Sequence, residues 1–154
     1  VSRGHLAGFR TIMTGEMFAL LSEASILRHT VGISDWSDDD FATAVAEAHA
    51  APANCLDRLF GLRAGPLLFG DAAPSVSARL SGLLIGAEIA TGMAAGDEPL
   101  CLVATDSMAE RYALALTALG IDFDRADAKD SVRNGLFAMA ARIWPERGLL
   151  ETDA

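Results

Sequence analysis

From Ser75 to Ala90 the chain reads as one strongly apolar helix, and within it Leu80-Ser-Gly-Leu-Leu-Ile-Gly-Ala-Glu88 carries two glycines four residues apart. That spacing puts Gly82 and Gly86 on one helical face. A glycine in a helix costs roughly 1 kcal/mol against alanine, so a face that keeps two of them is one that something approaches closely. Two occupants fit: the backbone of a packed helix, or a bound nucleotide. Spacing alone favours packing, with Gly82 and Gly86 as nucleotide-binding candidates on the sharper reading.

The chain has 154 residues, 51% of them hydrophobic, enough for one domain with a real core and too few for two large ones. A formal charge of -9 argues against nucleic acid as a partner, because a surface so acidic repels phosphates. It does not exclude a phosphorylated substrate, since local arginines and helix N-termini can hold an anion inside an acidic protein. Cys55 and Cys101 have neither metal-ligand spacing nor a disulfide pattern, so a reducing cytoplasm fits best and no metal site is expected. No apolar run reaches the length of a membrane span. The start, Val1-Ser-Arg-Gly-His5, has no initiator Met and no signal-peptide core, so the chain reads as cut from something larger.

Along the chain, residues 6–14 read as a strand, because apolar and polar residues alternate through Phe9-Arg-Thr-Ile-Met-Thr14. Thr14 then caps a helix from Glu16 to about His29, stopped by Gly32. Such a strand-to-helix junction at Thr14-Gly15-Glu16 turns backbone N–H groups outward and suits an anion or a sugar hydroxyl, though a plain cap is the commoner meaning. Ser37 caps the next helix, with Asp38, Asp39 and Asp40 as first-turn acids and not metal ligands. Helices follow over 41–51 and 53–64, the second broken at Gly65-Pro66, and a turn-rich segment from Gly70 to Pro74 leads into the apolar helix. After a Gly-rich linker over 91–98, Pro99–Ala104 has the continuous apolar character of a buried parallel strand. A helix over 108–119 ends at Gly120, 121–126 is an edge strand, and a last helix capped by Ser131 presents Val132, Leu136, Met139 and Ile143 before a frayed tail at Pro145 and Gly148. Residues 99–143 therefore form a β-α-β-α unit, where ligands bind beyond the C-terminal ends of the strands.

Three segments together, Phe9-Arg-Thr-Ile-Met-Thr-Gly-Glu16, Leu80-Ser-Gly-Leu-Leu-Ile-Gly-Ala-Glu-Ile89 and Leu102-Val-Ala-Thr-Asp-Ser-Met-Ala-Glu-Arg-Tyr112, closely resemble in order and spacing the C-terminal part of the 2-dehydro-3-deoxygalactonokinase family. The resemblance implies an α/β fold, the C-terminal lobe of an actin-like, ribonuclease-H-like sugar kinase with a helical insertion. On that reading residues 1–30 are the strand and first helix of the lobe, 31–98 the insertion, 99–144 the β-α-β-α unit and 145–154 the tail. The N-terminal lobe and a Gly-Thr-His type loop, which carry phosphate-binding groups in the family, are missing. The implied reaction is ATP-dependent phosphorylation of 2-dehydro-3-deoxy-D-galactonate in galactonate breakdown, with ATP and Mg²⁺ as cofactors. The expected partners are the sugar acid, the N-terminal lobe of the same protein or a second copy, with neither nucleic acid nor membrane.

The resemblance also brings Thr14, Gly15 and Glu16 to a cleft, where Glu16 could bind a substrate hydroxyl without being assigned as base. Arg10 could meet the sugar-acid carboxylate; an outward surface arginine is the equal alternative. Ala104-Thr105-Asp106-Ser107 falls at the superfamily's adenosine-binding turn but departs from its Gly-rich pattern. Adenosine contact through Ala104, Thr105 and Ser107 is expected, and phosphate contact is not, because Asp106 repels it. His5, His29 and His49 lack ligand spacing and read as surface or cap residues, and Trp36 and Trp144 as packing anchors. A second function stays open, a nucleotide- or sugar-binding module of the same fold without chemistry, suggested by the altered turn.

Overall fold

The structure, a computed structural model, describes residues 8–31, 36–69, 75–93 and 99–144. The expectations for residues 6 and 7, His5, Gly32, the Gly70–Pro74 turn, residues 94–98 of the linker and the tail from Pro145 lie outside these. The described chain is dominated by helices, with one parallel sheet of two strands. It divides into two compact units, one of Val1–Glu98 with Leu114–Ile121, the other of Pro99–Ala113 with Asp122–Ala154.

In the first unit, α1 (Thr14–Ala19) passes into a π-helical turn, Leu20–Ala24, and a 3-10 turn, Ile26–His29. The single helix expected from Glu16 to His29 is thus broken at Ser25, whose backbone is extended and whose hydroxyl accepts a hydrogen bond from Leu27 N at 3.0 Å. Serine competes with the helix for backbone partners in this way. The strand expected before α1 is not formed over residues 8–13. Among the described residues nothing offers it a ladder, and extended backbone without a neighbour is not a strand. Thr14 is accordingly the first helical residue and not the cap; Met13 holds the cap position and makes no side-chain cap bond.

The centre of this unit is α2 (Asp38–Ala50) against α4 (Val76–Met93). Phe41, Ala44, Val45 and Ala48 are buried at helical spacing, and α4 supplies Val76, Leu80, Leu83 and the two glycines. A Cβ placed on Gly82 would lie 2.5 Å from the Phe41 carbonyl oxygen, and one on Gly86 would be 2.9 Å from Val45 Cα and closer still to the Val45 carbonyl. The close approach read from the glycines is helix packing, so on this face there is no room for a nucleotide.

Caps tie the pair together. Ser37 Oγ accepts from Asp40 N at 3.2 Å, as its position predicts, and Asp40 Oδ2 in turn accepts from Ser75 N at 2.8 Å, joining the starts of α2 and α4. Ser75 Oγ accepts from Ala78 N at 3.3 Å. At the other end of α2, Arg58 donates to the carbonyls of Glu47 at 2.7 Å and Ala51 at 3.1 Å, a second donor to each beside the backbone N–H groups of Ala51 and Asn54. Arg58 lies on α3 (Cys55–Phe69), which runs through Gly65-Pro66 and not up to it. The proline removes one i→i−4 hydrogen bond, from residue 66 to Leu62, near the end of the helix, which Leu67, Leu68 and Phe69 complete. Leu59 and Leu62 of α3 join Leu27, Ala44, Ala48, Val76, Leu80 and Leu83 in the core. Burial pushes the Cys55 thiol above its usual range, with Arg58 pulling weakly the other way.

In the second unit β1 (Leu100–Ala104) and β2 (Phe123–Asp127) pair in parallel, Leu100 opposite Phe123 and Ala104 opposite Asp127. Helix α5 (Asp106–Ala118) begins in this unit, while its last turn and Gly120, at φ 67°, belong to the first. Ile121 N donates to Leu116 O and Gly120 N to Thr117 O, both at 3.0 Å, the glycine-stopped helix end expected. β1 is not the buried strand its composition suggests, because Cys101 and Val103 face outward from an uncovered side of the ribbon. Helix α6 (Ala128–Ile143) is capped by Asp127, whose side chain accepts from Asp130 N at 2.9 Å, and not by Ser131, which donates to the Asp127 carbonyl. Its Val132, Leu136, Met139 and Ile143 are all more than half exposed. No helix among the described residues is long and apolar enough to cross a membrane.

Candidate functional site

The first candidate lies where residues 10–16 run along the C-terminal third of α4. Arg10 Nη1 donates to the Thr91 carbonyl at 2.8 Å, and Thr14 Oγ1 donates to Glu88 Oε2. Gly15 and Glu16 are exposed in the first turn of α1, and a Cβ on Gly15 would meet no atom within 4 Å. Arg10, Thr14, Gly15 and Glu16 thus form one continuous segment held on α4 at two points. Glu88 is a residue that sequence reasoning missed. Its signal was present, a single carboxylate in an otherwise apolar helix whose only other charge is Arg79, itself paired with Glu47 at 2.8 Å. A carboxylate there needs hydrogen-bond partners to offset lost hydration.

The second candidate is the end of the parallel ribbon. Leu102, Ala104, Asp106, Ala109, Glu110, Arg125, Ala126 and Asp127 line an open cleft of about 320 Å³ at the C-terminal ends of β1 and β2. Of the residues expected at this turn, Ala104 lines the cleft; Thr105 and Ser107 adjoin it in sequence without lining it. The Thr105 carbonyl accepts from Ala109 N at 3.3 Å, and Ser107 is exposed. Asp106 has φ 52°, the left-handed region that glycine adopts freely and other residues at a cost. At Asp106 the backbone therefore takes a conformation that glycine adopts more readily than any other residue.

Three carboxylates face one guanidinium across this cleft, and Arg125 is already paired with Glu110 at 2.7 Å. Lys129 stands 3.9 Å from Asp106, both well exposed, a pair worth little in water. A phosphate would be repelled here, whereas hydroxyl or amine donors would find acceptors. Gly82 and Gly86, the other nucleotide candidates, are sealed against α2. Among the described residues no three His, Cys, Asp or Glu side chains gather as a metal-holding group, so no ligands for the Mg²⁺ that accompanies ATP are assigned in this chain.

Comparison with known proteins gives this geometry a context. The model of the 2-keto-3-deoxy-galactonokinase family matches residues 1–139. A curated relative from Rhizobium meliloti (strain 1021), named probable 2-dehydro-3-deoxygalactonokinase DgoK1, is 40% identical over 143 residues, covering 90% of this chain and 47% of the relative. The 2-dehydro-3-deoxygalactonokinase of Escherichia coli (strain K12) is 34% identical over 137 residues, covering 88% and 47%. A crystal structure from Sinorhizobium meliloti, described as a 2-dehydro-3-deoxygalactonokinase protein, superposes with a TM-score of 0.82 at 40% identity, over 90% of this chain and 48% of that one. The chain belongs to the 2-keto-3-deoxy-galactonokinase family, and it spans about half the length of the relatives it matches.

Proposed function

We propose that this chain is the C-terminal part of a sugar-acid kinase that transfers the γ-phosphoryl group of ATP to a hydroxyl of 2-dehydro-3-deoxy-D-galactonate in galactonate catabolism. The observation that carries the reading is the family match over residues 1–139, supported by a solved relative of the same shape. In such a transfer the acceptor oxygen bonds to the γ-phosphorus, the bond to ADP breaks and the hydroxyl loses its proton, so the protein's work is positioning and charge stabilisation. This chain would supply part of that work within an actin-like fold completed by an N-terminal lobe. A cytoplasmic setting suits its two unpaired cysteines.

Arg10 is proposed to meet the substrate carboxylate, since one hydrogen bond to Thr91 uses one of the five donors of a guanidinium. Thr14, Gly15 and Glu16 are proposed to contact substrate hydroxyls. Ala104, Thr105 and Ser107 are proposed to contact the nucleoside, with the phosphates directed away from Asp106. The test is phosphate transfer from ATP to 2-dehydro-3-deoxygalactonate by the complete protein; no transfer under conditions where the Escherichia coli relative is active overturns the reading. A second reading, a binding module without chemistry, is favoured by the strained Asp106 at the turn. Calorimetry that finds sugar-acid or ATP binding to the complete protein without turnover would select it.

A further inference from the structure

We propose that Glu88 is a positioning residue that fixes the Thr14 hydroxyl as a hydrogen-bond acceptor toward the substrate, so that this position selects a hydroxyl donor. The inference rests on the kinase reading and on the substrate role given to residues 14–16. A threonine hydroxyl has one proton and two lone pairs. In this fold the proton is committed to Glu88 Oε2, which leaves only acceptor capacity for a ligand. A carboxylate or carbonyl oxygen brought to this hydroxyl would find no donor in it, whereas a sugar hydroxyl would find an acceptor.

Thr14 begins α1, but no local group orients its hydroxyl. The α1 N-cap position makes no side-chain bond, and residues 8–13 have no ladder. Two side-chain hydrogen bonds attach this segment to α4, one to Glu88 and one, three residues further along the same helix, to the Thr91 carbonyl that receives Arg10. α4 is a fit anchor, because Gly82 and Gly86 seat it directly on the backbone of α2. Glu88 is half-buried in α4, so its carboxylate has lost part of its hydration. A charge-assisted bond from the Thr14 hydroxyl offsets that cost and at the same time sets which way the hydroxyl points.

The test is steady-state kinetics of the complete protein with Thr14→Val, Thr14→Ser, Glu88→Ala and the double variant Thr14→Val/Glu88→Ala. Thr14→Val and Glu88→Ala should each raise KM for the sugar acid about tenfold, the loss of the hydrogen bond that the Thr14 hydroxyl accepts from the substrate, with KM for ATP unchanged. Thr14→Ser should stay near wild type, and the double variant should be no worse than either single one, because the two groups act as a unit. The inference is overturned if sugar-acid KM stays within about twofold in both single variants, if the two KM values move together, or if the losses add. Should Glu88→Ala fail to fold, Glu88→Leu, of similar volume and without an acceptor, takes its place, and a sugar-acid KM within about twofold of wild type in that variant overturns the inference. If wild type itself transfers no phosphate, the kinase reading has failed and this inference goes with it; if wild type turns over and the variants match it, only the inference has failed.

Discussion

At Asp106 a single backbone angle records what the side chain alone does not show. The turn after β1 takes φ 52° at this residue, a conformation in which most side chains crowd the following carbonyl at roughly 1–2 kcal/mol. Aspartate tolerates it better than alanine, and glycine better than either. We therefore expect Asp106→Ala to be less stable than Asp106→Gly by about 1 kcal/mol in chemical denaturation. Equal stability of the two variants would mean that the turn is not left-handed. The acidic residue at this turn is legible in the sequence; its left-handed backbone is not, because a single φ value follows from the strand and helix that the turn must join. Ser37 was legible for the opposite reason: its cap involves only residues 37–40, and local spacing settles it.

At the scale of elements, the α2–α4 pair is the structural commitment of the first unit, and the glycines are what permit it. A methyl group on Gly86 would collide with the Val45 carbonyl, which is backbone of a buried helix and cannot swing aside. Gly86→Ala should therefore destabilise the chain by about 3 kcal/mol despite the better helix propensity of alanine. Gly61→Ala, at a glycine of α3 with open space around it, should by contrast raise stability slightly. Thermal unfolding of the two variants checks both signs, and a stabilised Gly86→Ala would overturn the packing account. Helix pairing was readable from the four-residue glycine spacing, but the identity of the partner was not. α2 fits because it brings backbone, at Phe41 and Val45, and the small Ala44 to those positions. The extension of α3 past Pro66 and the break at Ser25 are not legible from local propensity, which weighs single residues and not the hydrogen bonds that the chain makes around them.

For the whole molecule, the exposed apolar residues matter most. Val132, Leu136, Met139 and Ile143 form an open stripe on α6, and α3 exposes Leu56, Phe60, Leu67 and Leu68. β1 presents Cys101 and Val103 outward, and a two-stranded ribbon has an unpaired edge on each side. Surfaces of this kind recruit other chains. The 154-residue chain by itself should sediment as a dimer or larger species; a stable monomer at micromolar concentration would count against this. With the formal charge at -9, association should increase as salt screens the repulsion between copies. The stripe on α6 was read correctly as a stripe, yet its exposure was not foreseen, since periodicity says which residues share a face and not whether anything covers it.

What the sequence determined by itself is whatever acts over a few residues or through composition: the apolar α4 with its glycine face, the Ser37 cap, the Gly120 helix stop, the β-α-β-α order after residue 99 and the family resemblance carried by three segments. Only the tertiary structure decided which distant groups meet. Thr14 and Glu88 are 74 positions apart, Ser75 and Asp40 are 35 apart, and the cleft depends on a register that sets Ala104 beside Asp127. Such pairings depend on how helices and strands pack, and the free energy of that packing is spread over many contacts that no short motif contains. The strand expected at residues 6–14 shows the same limit from the other side, because alternation marks a segment able to pair, while pairing itself needs a neighbour.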